Sequence, residues 1–141
     1  MEPTLWNNDH VLAQAGAFQR SPLPRLTIVV LKDPVLPDIE SIKRIIGLPG
    51  EKVGFQDGKT LINGRPIPEP YLKTGSWSDL IETEEWRIDG NQYFVMGDNR
   101  DYSRDSRHYG PINGDLILGR AWFRYWPPER WGRLPVLPRN V

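Results

Sequence analysis

The sequence contains no cysteine among its 141 residues, which excludes a disulfide framework and a thiolate metal site. Histidine is scarce as well: His10 and His108 lie far apart in the chain, and we expect no metal and no metal cofactor. Long apolar runs are also missing, because stretches such as residues 26–31 fall well short of the roughly 18 residues that indicate a membrane span. We therefore expect these 141 residues to behave as a soluble domain.

An excess of charge of one sign is the next thing that the chain lacks. Its 18 basic residues balance its 18 acidic residues. Proteins that bind nucleic acid through a general basic surface carry net positive charge, so we expect no nucleic-acid partner. The length suits one domain around one hydrophobic core, and we expect residues 1–141 to fold as a single unit.

What the sequence does contain is a series of short β-branched or aromatic runs separated by Gly, Pro and Asn turns. The pairs Asp57-Gly58 and Asn63-Gly64 predict tight hairpin turns, since these residues tolerate positive φ. The pattern predicts an all-β, or mainly β, domain. Strands are predicted at residues 10–13, 26–31, 39–46, 53–55, 60–62, 93–96 and 114–126.

Residues 71–91 break this pattern because they are polar and irregular. Their acidic residues are typical of a solvated face. We expect a mobile cap or insertion here, within about residues 68–91 of the single domain.

A dense polar loop follows the predicted strand at residues 93–96. It reads Gly-Asp-Asn-Arg from Gly97, carries Ser103 three residues after Arg100, and continues Asp-Ser-Arg from Asp105. A solvated loop with weak surface ion pairs is the commoner meaning of such a composition. The order of the residues, however, is similar to the signature loop of the type I signal peptidases, the membrane-bound serine proteases that remove leader peptides from exported proteins.

Two other segments carry the same resemblance. Lys-Arg-Ile-Ile-Gly-Leu-Pro-Gly, from Lys43, resembles the family's lysine box, and Met-Glu-Pro-Thr-Leu, from Met1, resembles the end of its serine box. Three motifs in the right order make a specific signal. One departure is mild: Leu26-Thr27 stands where the relatives usually carry Gly-Asp at the start of a strand.

Lys43 has two interpretations from the residues alone. A lysine within a strand most often lies at an edge and extends its amine to water. A lysine that apolar neighbours such as Ile42 desolvate has a lowered pKa instead, and it can act as a general base near neutral pH. The residues leave both open, whereas the resemblance implies the general base.

The resemblance implies the coiled antiparallel β-sheet fold that signal peptidases share with LexA-type self-cleaving repressors. It also implies hydrolysis by a Ser/Lys dyad, in which Lys43 is the base and Ser103 orients the lysine. Ser106 is the other serine of the loop, and the spacing from Gly97 alone favours Ser103. The residues that the resemblance implies as structural support of the site are Asp98, Arg100, Asp105 and Arg107, the last two as an ion pair.

By the same resemblance, the substrates are signal-peptide-bearing preproteins that bind as extended strands with small side chains before the scissile bond. Substrate contacts are predicted at Met1, Pro3 and Ile42, and no metal or organic cofactor is implied. The implied location is the cell membrane, with the catalytic domain on the extracytoplasmic face. From its residues alone, the Trp- and Arg-rich C-terminal tail is a second candidate for membrane contact, although a packed or frayed terminus is the commoner outcome.

The start of the chain departs most from the family pattern. In the family, the nucleophilic serine immediately precedes the methionine that stands here as Met1, and a membrane helix precedes that serine. We expect the 141 residues to be inactive without that serine. A trimmed chain or a start codon assigned at the motif's own methionine explains this better than a truncated remnant, because the other motifs are intact.

Two alternatives stay open. A catalytically inactive remnant would bind extended peptides through its sheet edges. A LexA-type self-cleaving domain also pairs a serine with a lysine, but the signature loop does not belong to that group and the sequence offers no helical DNA-binding segment.

Overall fold

The computed structural model describes residues 1–16, 22–73 and 85–135. The strands of the described residues are β1 (His10–Ala15), β2 (Ile28–Lys32), β3 (Glu40–Gly47), β4 (Lys52–Gln56), β5 (Lys59–Ile62), β6 (Arg65–Pro66), β7 (Trp86–Arg87), β8 (Gln92–Met96), β9 (Ile112–Asn113), β10 (Ile117–Trp126) and β11 (Gly132–Arg133). The helical segments are the single turn α1 (Ser106–Tyr109) and two 3-10 turns, Gly114–Leu116 and Pro128–Arg130.

These strands form two antiparallel sheets within the described part of the chain. The larger sheet has the order β1-β10-β2-β3-β8-β9, with β11 beside β10, and the smaller has the order β6-β5-β4-β7. Each predicted strand coincides with an observed one to within a few residues. The mainly β, antiparallel fold is therefore confirmed.

The hairpin turns form where the Asp-Gly and Asn-Gly pairs predict them. Asp57 and Gly58 have φ angles of 49° and 66°, and Asn63 and Gly64 have φ angles of 50° and 78°. Left-handed backbone at both central residues matches the twist of the flanking strands. The two turns connect β4 to β5 and β5 to β6.

Two segments differ from the prediction. The long strand begins at Ile117, not Gly114, because the Asn113 side chain accepts a hydrogen bond of 2.9 Å from the Asp115 N–H and closes a 3-10 turn. The polar loop contains α1, because the Asp105 carboxylate caps the backbone N–H groups at its start.

The flanks of the predicted cap belong to the folded body. Tyr71 and Ile88 are 8% and 1% exposed and join the apolar cluster that both sheets share. The Trp86 ring lies 5.3 Å from the Phe94 ring, and β7 pairs with β4. These apolar residues are isolated among polar neighbours, which is why the pattern missed them. The middle of the predicted cap, residues 74–84, lies outside the described residues, as do residues 17–21 and the tail from residue 136.

Strand β3 separates two environments. Lys43 lies opposite Val29 of β2, and residues opposite each other in an antiparallel pair share a face of the sheet. Val29 and Ile45 belong to an apolar cluster on that face. Ile42 and Arg44 therefore lie on the opposite face, where Ile42 packs against a second apolar cluster.

Candidate active site

Lys43 is partly buried on the apolar face of β3. Its Nζ donates a hydrogen bond of 3.4 Å to the Ser103 hydroxyl. Burial lowers the pKa of the Lys43 amine, and this outweighs the Asp105 and Asp33 carboxylates, which act in the opposite direction. An amine whose neutral form is favoured in this way can accept a proton at a lower pH than an ordinary lysine.

The two serines of the polar loop have different surroundings. Ser103 is partly buried and its hydroxyl faces Lys43. The Ser106 hydroxyl is fully buried and accepts a hydrogen bond of 2.9 Å from the backbone N–H of Val95, so it ties α1 to β8. Of these two hydroxyls, the Ser103 hydroxyl is therefore the one that contacts Lys43.

Gly97 sets the position of Ser103 by close packing. A Cβ atom built on Gly97 would lie 2.2 Å from the Ser103 Oγ and 2.6 Å from its Cβ. A side chain at position 97 would therefore displace Ser103 or the backbone beside it. The Gly97 N–H donates 3.0 Å to the Asp105 carboxylate, which fixes the other side of the same residue.

Asp105 and Arg107 brace the loop. The Asp105 carboxylate is fully buried and accepts hydrogen bonds of 2.9 Å from both Nε and Nη2 of Arg107. Burial raises the pKa of Asp105, but hydrogen bonding and charge attraction from Arg107, together with hydrogen bonds from the Gly97 N–H and the Ser103 side chain, outweigh burial and hold the pKa below its usual value. Arg107 also donates 2.8 Å to the backbone carbonyl of Arg100, so the pair spans the loop.

Asp98 forms a second buried ion pair, on the opposite face of β3. The Arg44 guanidinium donates 2.8 Å and 2.6 Å to the two Asp98 oxygens, and neither side chain is exposed. The Thr4 hydroxyl donates to the same carboxylate and so joins the N-terminal segment to this pair. Sequence reasoning missed Arg44 and Thr4, although an arginine inside an apolar strand is a signal for a buried ion pair.

Arg100 connects the loop to the smaller sheet. Its side chain is fully buried and forms an ion pair with Glu69, which comes just before the core residue Tyr71. Arg100 Nε also donates 3.1 Å to the Gly97 carbonyl. Glu69 stands between two prolines, and that sequence context gave no signal of a buried partner.

The predicted substrate contacts are brought together in part. Met1 and Ile42 both pack against the apolar cluster that includes Leu5 and Ile28. Pro3 instead borders a groove with Tyr71. Burial is the main cause of the lowered pKa of the Met1 amino group, and the Lys43 charge lowers that pKa as well, so the two amines lie within electrostatic reach of each other.

Residues 1–16, 22–73 and 85–135 contain no group of three or more His, Cys, Asp or Glu side chains that could hold a metal ion. In the same ranges, no helix has the length and apolar character that crossing a bilayer requires.

Comparison with known proteins gives a consistent result. The family model described as "Signal peptidase, peptidase S26" matches residues 1–126. The chain is 36% identical to signal peptidase I V of Bacillus subtilis (strain 168), over 84% of this chain and 76% of that protein. It is also 36% identical to signal peptidase I of Leptolyngbya laminosa, over 98% of this chain and 70% of that protein. Among solved structures, a signal peptidase I from Enterococcus faecalis V583 is similar with a TM-score of 0.60 and 30% identity, over 70% of this chain and 95% of that chain.

Proposed function

This chain belongs to the signal peptidase family, and from that premise we propose that Lys43 is the general base of a Ser/Lys dyad that removes signal peptides from preproteins. Such dyads use a lysine amine where a catalytic triad uses histidine. The observation that carries the proposal is the 3.4 Å contact between the Lys43 amine and the Ser103 hydroxyl, at an amine whose pKa burial has lowered. The family match favours this function over the LexA-type self-cleaving alternative.

The nucleophile in this proposal is a serine directly before Met1, as the family resemblance implies. The Met1 amino group supports that position, since the Lys43 charge acts on its pKa. A residue joined to that amino group would lie within electrostatic reach of Lys43. We expect cleavage from the 141 residues preceded by one serine, a form that we term the serine-extended chain.

The proposed reaction proceeds in two halves. Neutral Lys43 accepts the serine proton while the serine oxygen attacks the carbonyl carbon of the scissile bond. Protonated Lys43 then donates that proton to the leaving amine, which releases the mature protein and leaves an ester between the serine and the signal peptide. Lys43 next takes a proton from water while the water oxygen attacks the ester carbonyl carbon. It then gives that proton to the departing serine oxygen, which releases the signal peptide as a carboxylic acid and restores both the serine and the neutral lysine. Ser103 accepts a hydrogen bond from Lys43 throughout and keeps the amine oriented.

The substrate in this proposal is an extended preprotein segment that lies beside Met1 and Ile42. Both residues are partly buried against one apolar cluster, so apolar side chains of the substrate would meet apolar protein there. We further propose a membrane-anchored parent protein whose catalytic domain lies on the extracytoplasmic face. Trp126 and Trp131 support membrane contact because they are 49% and 66% exposed, and tryptophan favours the membrane interface.

The test compares two lysine variants of the serine-extended chain on a peptide that carries a signal-peptide cleavage site. Lys43→Ala should abolish cleavage and leave the circular dichroism spectrum unchanged. Lys52→Ala is the matched control, because Lys52 is an exposed lysine that pairs with Glu85 on the smaller sheet. Cleavage by Lys43→Ala at the parent rate would overturn the dyad. A serine-extended chain that binds the peptide without cleaving it would instead identify a peptide-binding remnant.

A further inference from the structure

Glu69 is the centre of a buried polar cluster that joins the smaller sheet to the polar loop. Its side chain is 7% exposed and pairs with the fully buried guanidinium of Arg100. The carboxylate also accepts hydrogen bonds of 2.9 Å from the Thr60 hydroxyl and 2.8 Å from the Tyr71 hydroxyl. Several donors therefore fix both oxygens of one carboxylate, and a carboxylate held in this way has little freedom to move.

A chain of contacts leads from this cluster to Lys43. Arg100 Nε donates 3.1 Å to the Gly97 carbonyl. Gly97 in turn packs so closely on Ser103 that a Cβ at position 97 would lie 2.2 Å from the Ser103 Oγ. The Ser103 hydroxyl accepts the hydrogen bond from Lys43. A shift of the Arg100 guanidinium would therefore move the Gly97 backbone and, with it, the hydroxyl that orients Lys43.

We propose that Glu69 is a positioning residue for peptide-bond cleavage, which acts through Arg100 and Gly97 to hold Ser103 against Lys43. The inference rests on the proposed function, because it takes Lys43 as the base and Ser103 as the group that orients it. The smaller sheet, which contributes Thr60 to the cluster, is then part of the apparatus that aligns the site.

Glu69 acts in this proposal through geometry. The charges that shift the pKa of Lys43 are those of Asp105, Asp33 and Arg107, and Glu69 is not among them. The carboxylate of Glu69 acts on Arg100: burial lowers the pKa of Arg100, and Glu69, together with Tyr71 and Asp98, more than offsets that lowering. Its influence on the reaction should therefore depend on the presence of the Ser103 hydroxyl.

The experiment is a double-mutant cycle in the serine-extended chain, with cleavage measured well below the unfolding temperature. Glu69→Gln leaves Arg100 without its counter-charge and should lower kcat by about 10- to 100-fold with little change in KM, which is the scale of misalignment by about 1 Å. In the Ser103→Ala background the same change should alter kcat by less than about twofold, because residues that act as a unit are not additive. Glu85→Gln is the matched control, because it removes an exposed glutamate that pairs with Lys52 of the smaller sheet. This variant should have the kcat of the parent.

Three results would overturn the inference: an equal loss of kcat in both Ser103 backgrounds, a loss that appears in KM alone, or no loss. If Glu69→Gln does not fold, Tyr71→Phe enters the same cycle, because it removes one hydroxyl donor to Glu69 and keeps every charge. Lys43→Ala in the same assay distinguishes a failure of the proposed function from a failure of the inference about Glu69. Cleavage retained by Lys43→Ala refutes the proposed function, whereas an inactive Lys43→Ala beside a fully active Glu69→Gln refutes the inference alone.

Discussion

Leu26 holds a backbone conformation that should reverse the usual ranking of alanine and glycine. Its φ angle is 67°, although its side chain is buried at 5% exposure in the cluster shared by the two sheets. Left-handed backbone costs an L-residue with a Cβ about 1–2 kcal/mol, and glycine avoids that cost. At an ordinary position, glycine is instead less stable than alanine by roughly 0.5–1 kcal/mol. The difference between the two effects predicts that Leu26→Gly is more stable than Leu26→Ala by up to about 1.5 kcal/mol.

Leu31 is the matched position, because it is fully buried within β2 and has an ordinary strand conformation. Both leucines lose their buried side chain on truncation, and we expect about 2–5 kcal/mol for each alanine variant. The assay measures the free energy of unfolding of the four variants in urea, with circular dichroism as the signal. Leu31→Gly should be less stable than Leu31→Ala, the reverse of the order at Leu26. If the glycine variant is less stable than the alanine variant by the same amount at both positions, the backbone at Leu26 is not strained.

Two further predictions concern the polar loop. Gly97→Ala should lower the rate of cleavage by the serine-extended chain about 10- to 100-fold while the fold survives, because the added Cβ displaces Ser103 from Lys43. An unchanged cleavage rate would contradict the close packing of Gly97 on Ser103. Acidification should remove the stabilisation that Asp105 provides. Burial raises the pKa of Asp105, but the hydrogen bonds and charge of Arg107, together with hydrogen bonds from Gly97 and Ser103, outweigh burial, so the folded pKa lies below the unfolded value of about 3.9. The contribution of ionised Asp105 to the free energy of unfolding is complete above the unfolded pKa and is lost as the pH falls through the folded pKa. The urea midpoint should therefore fall less steeply on acidification in Asp105→Asn than in the parent. Equal slopes would contradict this.

Local patterns in the sequence predicted the strands and turns of the fold. The Asp57-Gly58 and Asn63-Gly64 turns were accessible because their conformation depends on the two residues themselves. The folding of the flanks of the predicted cap could not be predicted, because Tyr71 and Ile88 are single apolar residues whose burial depends on a second sheet. The turn at Gly114 depends on the Asn113 side chain, which a strand pattern does not register.

The candidate site was accessible in part for the same reason. Motif order drew attention to Lys43 and Ser103, and the structure brings their side chains together across 60 residues of sequence. Arg44 and Glu69 were missed because each is defined by a partner distant in the chain, Asp98 and Arg100 respectively. Sequence spacing does not report such contacts, and the fold has to be known before they are visible.

The central claim is that Lys43 is an amine prepared to accept a proton. Its most direct test is the pKa of Lys43, measured from the pH dependence of the 13Cε resonance in lysine-labelled protein and assigned by its loss in Lys43→Arg. Because burial is the largest influence on this amine, Lys43 should titrate below the ordinary lysine value of about 10.4. A Lys43 resonance that titrates at or above the ordinary lysine value would contradict the account, because an ordinary lysine would be protonated when the serine needs a base.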